Sequence, residues 1–424
     1  MKSSYNIKLI FPFIFLIIIC SSFQPQPVKK NFADLYNPVA SFLHPKYIVF
    51  NKSNEISTLI VNINSKELLF NEANASMTPQ AEISIIYKLT NISTKLIEDS
   101  ATINIVVSRE DARDELVSFV PVKARFGNKY LLQIEIIDVK RKNSHKSSII
   151  VNKTDITNRQ NFLLREFPST APIFNSFIDS TTSFYIEYPY AKVDSYIVKF
   201  YNNNFEIATS PSSLLTITDR FDKPDSVFIW RIADSNYFRI NKKGFYVFQI
   251  SAQDNSGIGI SYFSQSFPRV TKADELFEQI RYITNEGEFN DFLKIKNRKL
   301  AVDSFWLKIA DDNKELAREL IRIYYNRAYL SNLYFTSYKE GWKTDRGMIY
   351  IIYGLPDYIY RSDNTERWIY YDEITGEDFF FKFNKIEHPY TDNHYILVRS
   401  ENLSTHWREA ISSWRNGRIY STNE

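Results

Sequence analysis

Ala81-Glu-Ile-Ser-Ile-Ile-Tyr-Lys-Leu89 decides how the N-terminal half of this chain is read. Apolar side chains fall at residues 81, 83, 85, 87 and 89, and three of the four intervening positions are polar. A period of two puts one apolar face against a core and the other toward solvent, which is a half-buried strand. The pattern recurs on both sides, at Ile56-Ser-Thr-Leu-Ile-Val-Asn-Ile63, Ala101-Thr-Ile-Asn-Ile-Val-Val107 and Tyr130-Leu-Leu-Gln-Ile-Glu-Ile-Ile137. Turn-type residues separate these runs, so residues 41–155 are expected to form an antiparallel β-sandwich. A second block, residues 156–270, carries Ser183-Phe-Tyr-Ile-Glu-Tyr188, Tyr196-Ile-Val-Lys-Phe-Tyr201, Ser226-Val-Phe-Ile-Trp-Arg231 and Gly244-Phe-Tyr-Val-Phe-Gln-Ile250. It reads as a second, immunoglobulin-like sandwich. Phe167-Pro-Ser-Thr-Ala-Pro172, where two prolines interrupt pairing, suggests the break between them.

At Thr271 the period changes to about 3.6. Thr271-Lys-Ala-Asp274 resembles a capping box, and Leu276, Ile280 and Ile283 share one helical face. The clearest helix spans 313–335, with Leu316, Leu320, Ile323, Leu330 and Tyr334 on one stripe and Arg327 set inside it. Residues 271–340 are therefore expected to be a helical connector, followed by an α+β module over 341–424. Within that module Met348-Ile-Tyr-Ile-Ile-Tyr353, Arg367-Trp-Ile-Tyr-Tyr371, Asp378-Phe-Phe-Phe-Lys-Phe383 and His394-Tyr-Ile-Leu-Val-Arg399 are read as strands. Trp407, Ala410, Ile411 and Trp414 mark a terminal helix. The expected class is mainly β, with tandem antiparallel sandwiches and a C-terminal α+β module.

Of 424 residues, 44% are hydrophobic and 16% aromatic, which excludes a disordered chain. The 52 basic and 49 acidic residues are interspersed, so no nucleic-acid partner is expected. Lys2 and Lys8 precede an apolar run from Leu9 to Ile19 that ends at Cys20, the one cysteine of the chain. Eleven helical residues cover only about half a bilayer core, so residues 1–20 are read as a signal peptide. A cysteine at its end resembles a lipobox, with Ile19 departing from the small residue that pattern prefers. Cys20 is thus the expected lipidation site, residues 21–40 a polar tether, and the membrane an expected partner through that anchor.

The segment that organises the C-terminal module is Gly341-Trp-Lys-Thr-Asp-Arg-Gly347. As a helix-to-strand connection it would use Gly341 and Gly347 at positive φ, Thr344 and Asp345 as caps, and Trp342 as an apolar lock. Gly354-Leu-Pro-Asp357, with Pro356, reads as a second turn. A guanidinium on an apolar stripe needs a counter-charge, so Arg327 is expected to clamp Asp345, with Glu340 as the other nearby carboxylate. Arg346 completes the set of latch residues.

The run from Gly341 to Asp357 resembles the signature of the GWxTD domain family, a set of exported bacterial proteins named for that motif. Phe305-Trp306, Tyr324-Tyr-Asn-Arg327, Trp368-Ile-Tyr370, Phe379-Phe-Phe381, Tyr395-Ile-Leu-Val398 and Trp407-Arg408 match it in order. Leu43-His-Pro-Lys-Tyr47 and Glu67-Leu-Leu-Phe70 resemble the N-terminal region of such proteins. The resemblance implies an exported protein and no particular reaction.

A nucleophile elbow, a phosphate-binding loop, a dinucleotide fingerprint and a zincin motif are all lacking from the sequence. His388, His394 and His406 do not have metal-ligand spacing, so no catalytic residue, metal or cofactor is assigned. The expectation is a non-enzymatic interaction or assembly protein of the envelope, lipid-anchored at the outer membrane and facing the periplasm, with envelope proteins as partners. The rivals are an envelope hydrolase using Asp345 and a polysaccharide-binding module using exposed aromatics.

Overall fold

The computed structural model describes residues 31–37, 43–71, 78–110, 113–215, 219, 221, 223–362, 364–372 and 376–420. The expected signal segment, Cys20 and residues 21–30 and 38–40 of the expected tether lie outside the described residues.

Two antiparallel sandwiches come first. Strands β1 (Lys46–Phe50), β2 (Ile56–Asn64), β3 (Gln80–Asn91), β4 (Ile97–Ser108), β5 (Glu115–Lys123), β6 (Lys129–Asp138) and β7 (Asn143–Asn152) form sheets ordered β1-β2-β5 and β4-β3-β6-β7. The period-two face of β3 is the core: Ile83, Ile85, Tyr87 and Leu89 are buried, and β6 sets Ile134 against Tyr87 and Ile136 against Ile85. Leu59, Val61 and Ile63 of β2 join the same core.

The second sandwich is built from β8 (Leu163–Phe167), β9 (Ser183–Glu187), β10 (Ser195–Tyr201), β11 (Ser226–Arg231), β12 (Phe238–Arg239), β13 (Gly244–Gln249) and β14 (Ile258–Tyr262). Its sheets are ordered β11-β10-β13-β14 and β12-β9-β8. Pro168 and Pro172 therefore lie after β8, inside this sandwich, and not at its boundary. The two sandwiches meet through Phe50, Ile60 and Leu163, with Ile48 and Phe174 packed against them. β13 is covered on both faces, Tyr246 and Phe248 in the sandwich core and Phe245 and Val247 beside Tyr338, which accounts for its unbroken apolar run.

Helices follow: α1 (Ala273–Gln279), α2 (Glu286–Leu293), α3 (Arg298–Ile309), α4 (Lys314–Phe335) and α5 (Asp345–Tyr353). The chain then forms a four-stranded antiparallel meander of β15 (Tyr358–Arg361), β16 (Thr365–Asp372), β17 (Glu377–Lys385) and β18 (Tyr395–Leu397), and closes with α6 (Ser404–Arg415). The 3.6-residue stripe in α4 is as expected, and Asn313 caps it by accepting from the amides of Glu315 and Leu316. Thr271 caps nothing; Lys272 holds the N-cap position of α1 without a side-chain bond.

Residues Met348 to Tyr353 are helical, not a strand. Every one of them is buried, so no alternation marks the run, and a helix apolar all round is one enclosed by its neighbours. One core runs from Phe277 through Trp306, Tyr324 and Ile351 to Trp414, so the helices over 271–340 are part of the module and not a spacer.

The module also takes in residues that the sequence placed in the tether. Asn31 and Phe32 bond to the edge strand β15, Phe32 N to Ile359 O at 2.9 Å and Ile359 N to Asn31 Oδ1 at 2.9 Å. Ala33–Tyr36 then form a 3-10 turn whose Tyr36 is buried in the same core.

Candidate functional site

Gly341 through Gly347 connects two helices, α4 and α5, and both glycines are required by space. A Cβ on Gly341 would lie 1.9 Å from the Ser331 carbonyl oxygen of α4, and one on Gly347 would lie 1.9 Å from the Gly341 carbonyl oxygen. Neither glycine has the positive φ expected of it; Gly354, at φ +80°, is where α5 stops. Backbone donors of the motif are held from α4 and the turn after it, Trp342 N by Asn332 Oδ1 and Gly341 N by Thr336 Oγ1, each at 3.0 Å. Trp342 is buried edge-on to Tyr282, whose hydroxyl donates to the Trp342 carbonyl at 2.8 Å. Thr344 is the N-cap of α5: its Oγ1 accepts from Gly347 N at 3.1 Å and donates to Gly341 O at 2.7 Å. Pro356 is buried in the turn that leads into β15.

The expected Arg327–Asp345 clamp is replaced by two other arrangements. Asp345 pairs with Arg399, Nη2 to Oδ1 at 2.5 Å and Nη1 to Oδ2 at 3.2 Å, and its Oδ2 also accepts from Leu397 N at 2.7 Å. The carboxylate thus ties the start of α5 to β18 rather than to α4. Arg327 instead donates to the carbonyls of Ile352 at 3.1 Å and Tyr420 at 3.0 Å. The first is at the C-terminal end of α5, where the helix dipole is negative and a guanidinium is favoured.

Arg346 forms the deepest polar contact. Its side chain and that of Glu366 are 2% and 0% exposed, with Nη1 3.3 Å from Oε2. Arg361 approaches Glu366 Oε1 at 3.0 Å, Tyr36 donates to Oε1 at 3.0 Å, and Trp368 Nε1 donates to Oε2 at 3.2 Å. The Arg346 guanidinium also lies 3.7 Å from the centre of the Tyr395 ring. Burial alone would push the Glu366 carboxyl up; the Arg346 and Arg361 guanidiniums, with the Trp368 and Tyr36 bonds, outweigh it and hold the carboxyl below its usual range.

A further polar group adjoins the motif. Tyr338 and Lys339 both donate to Asp219 Oδ2, at 2.8 and 2.7 Å, and the His388 ring stacks on Tyr338 at 4.7 Å. Burial first, then the charges of His394 and Arg159 against the opposing pull of Asp219, push His388 down to about 3. His394 is 5.2 Å from His388, but His406 lies apart, stacked on Phe379. Among the described residues no cluster of His, Cys, Asp and Glu is arranged to hold a metal ion. The space beside Asp345, lined in part by Tyr338, His394 and Arg399, is small, about 30 Å³.

Arg399, Glu366, Arg361, Tyr36 and Asn332 were not singled out in the sequence. One signal was present: Glu366 occupies an inward position of β16, in step with Trp368 and Tyr370, and an inward carboxylate needs a cationic partner.

Fold and site together define a tandem β-sandwich protein whose α+β module is closed by an internally bonded loop. Residues 244–416 match the model of the GWxTD domain, so the chain contains a GWxTD domain. No curated protein matches it. Two solved structures of Bacteroides uniformis β-glucuronidase 2 are similar over parts of the chain, each at 12% identity. They cover 28% and 38% of this chain and 13% and 16% of theirs, with TM-scores of 0.18 and 0.19. The chain thus spans less than a fifth of those proteins, and a likeness at that level carries no argument about fold or activity.

Proposed function

We propose that this chain is a non-enzymatic interaction or assembly protein of the bacterial envelope, exported through its N-terminal segment and lipid-anchored at Cys20. The motif serves as its internal latch. The observation that carries this reading is the state of Asp345. Both of its oxygens are engaged, and the space it faces is small, whereas a general base must lie within hydrogen-bond reach of a substrate atom. A surface suited to partners supports it: β11 ends its sheet, and Val227, Phe228 and Ile229 are 56%, 39% and 57% exposed. A strand edge with apolar side chains accepts an added strand of a protein partner.

The test is a photo-cross-linking residue at Ile229 in intact cells, with mass spectrometry of the mature N-terminus. A discrete adduct, abolished by Val227→Lys, and a diacylated Cys20 are expected. An unmodified N-terminus after Cys20 would overturn the anchor. The interaction reading fails if no adduct forms while a hydrolytic turnover is found that Asp345→Ala abolishes without unfolding the protein.

A further inference from the structure

The outward face of the β15–β18 meander is aromatic and basic. Burial alternates along its strands, so Ile359, Trp368 and Phe381 turn into the module while Tyr358, Tyr360, Arg367, Ile369, Phe380 and Lys382 turn out. The register joins the outward set in two cross-strand rows, Tyr358–Ile369–Phe380 and Tyr360–Arg367–Lys382. Tyr358 and Phe380 are 51% and 43% exposed, and the rings of Tyr358 and Tyr360 stack at 6.5 Å. The Arg367 guanidinium rests 3.6 Å from the centre of the Phe380 ring.

Two observations say what this face meets. The first is charge. Arg367 and Lys382 stand directly opposite each other on β16 and β17, and like charges so placed repel unless an anion lies over them. Glu366, beside Arg367 in the sequence, turns inward to Arg346 and Arg361. Neither Arg367 nor Lys382 has an ion-pair partner among the described residues. The acids of this hairpin are gathered toward its turn, at Asp372, Glu373, Glu377 and Asp378. Asp378 is opposite Tyr371, which lies about 13 Å along β16 from Arg367. That exceeds a Debye length of about 8 Å at physiological salt, so the basic row keeps its own field. Asp357, next to Tyr358, is engaged, its Oδ2 accepting from Tyr371 N at 2.8 Å.

The second observation is the route of the chain. Asn31 Nδ2 donates to Asp357 O at 2.8 Å and its Oδ1 accepts from Ile359 N at 2.9 Å, which pins the chain on both sides of Tyr358. Residues 21–30, ending in Lys29 and Lys30, lead from there to Cys20, and fully extended they span only about 40 Å. An acyl chain on Cys20 therefore keeps this face close to a bilayer, at an effective concentration in the millimolar range where a weak surface contact is populated. Exposed tyrosine and phenylalanine rings beside arginine and lysine suit that boundary, the rings at headgroup level and the basic side chains reaching phosphate. We propose that the outward face of the meander docks on an anionic phospholipid surface, with Arg367 and Lys382 on the phosphates. The proposal rests on the Cys20 anchor proposed above and adds the face that the anchored protein lays against the membrane.

Cys20 is the chain's one cysteine and is blocked when acylated, so a single introduced cysteine takes a nitroxide label specifically. The full acylated chain, its N-terminus checked by mass spectrometry, is placed on vesicles of phosphatidylethanolamine and phosphatidylglycerol. Labels are set in turn at Ile369→Cys, at Phe380→Cys and, as a reference in water, at Val106→Cys on β4, where Val106 is 60% exposed. Power saturation against oxygen and a nickel chelate is expected to put the first two labels at headgroup depth and the third in water. Arg367→Glu with Lys382→Glu should lower the docked population about tenfold or more, and so should exchanging phosphatidylglycerol for phosphatidylcholine, which leaves the protein untouched. On an acylated chain, labels at 369 and 380 that stay in water, or a contact indifferent to phosphatidylglycerol, overturn the proposal and leave the anchor standing. An N-terminus without acyl chains overturns both. Labels in water on vesicles yet immobilised in native envelope membranes mean that the face meets a protein, and overturn the proposal as well.

Discussion

Replacing Glu366 by Gln removes one negative charge from the centre of the module and little else. The carboxylate is fully buried, and it faces the Arg346 guanidinium, itself 2% exposed, and Arg361, whose side chain is about a third exposed. Arg361 can turn to water once the charge is gone. Arg346 cannot, and is left with the Tyr36 hydroxyl, Asn393 and the rings of Tyr395 and Phe335. Orphaning one member of a buried pair costs about 3–5 kcal/mol, whereas replacing both by packed apolar groups is close to neutral. The Arg346→Met/Glu366→Leu double variant should therefore be more stable than Glu366→Gln alone, although it removes more hydrogen bonds. Urea unfolding followed by tryptophan emission reads this, because Trp306, Trp342, Trp368, Trp407 and Trp414 lie in the module and only Trp230 lies outside it. A Glu366→Gln loss under about 1 kcal/mol, or a double variant weaker than both single ones, would refute the account of this pair.

Asp345→Asn should cost about 3 kcal/mol by leaving Arg399, 7% exposed, without its carboxylate; an unchanged unfolding midpoint would show that the pair holds nothing together. Gly341→Ala places a methyl 1.9 Å from a carbonyl oxygen of α4, so circular dichroism and hydrogen exchange should show α5 losing protection even where the sandwiches persist. For pH, His388 is depressed from 6.5 to about 3, so its contribution is fully present above pH 6.5 and is lost as pH falls toward 3. Glu366, held below its usual range, adds a loss in the same direction below about pH 4.5. Stability should drop by about 1–2 kcal/mol between pH 7 and pH 5, and His388→Phe, which keeps the stack on Tyr338, should flatten that slope.

Strands of the sandwiches such as β3 were legible because they have one wetter face. Ile83 to Leu89 alternate with polar neighbours, and the register on β6 follows from that alternation. Helix α4 was legible for the matching reason, a stripe of 3.6 period behind the Asn313 cap. Helix α5 has no wet face, so its composition resembled a buried strand. The ion pairs were hidden by distance along the chain. Reasoning from proximity joined Arg327 to Asp345, but Asp345 found Arg399, 54 residues on, and Glu366 found Tyr36, 330 residues back. Close packing at Gly341 and Gly347 was hidden too, since sequence shows that a residue is small and not what it must pass.

The docking of Asn31 to Tyr36 onto β15 and Glu366 has a mechanical consequence. Tension applied to the chain ahead of Asn31 meets the hydrogen bonds to Ile359 and the Tyr36 hydroxyl before it reaches either sandwich. The load path from the N-terminal end thus runs first into the C-terminal module, and the two sandwiches hang from it as a slack loop. Pulled from that end, the protein should yield by peeling this short strap from the module, with the sandwiches bearing force only afterwards.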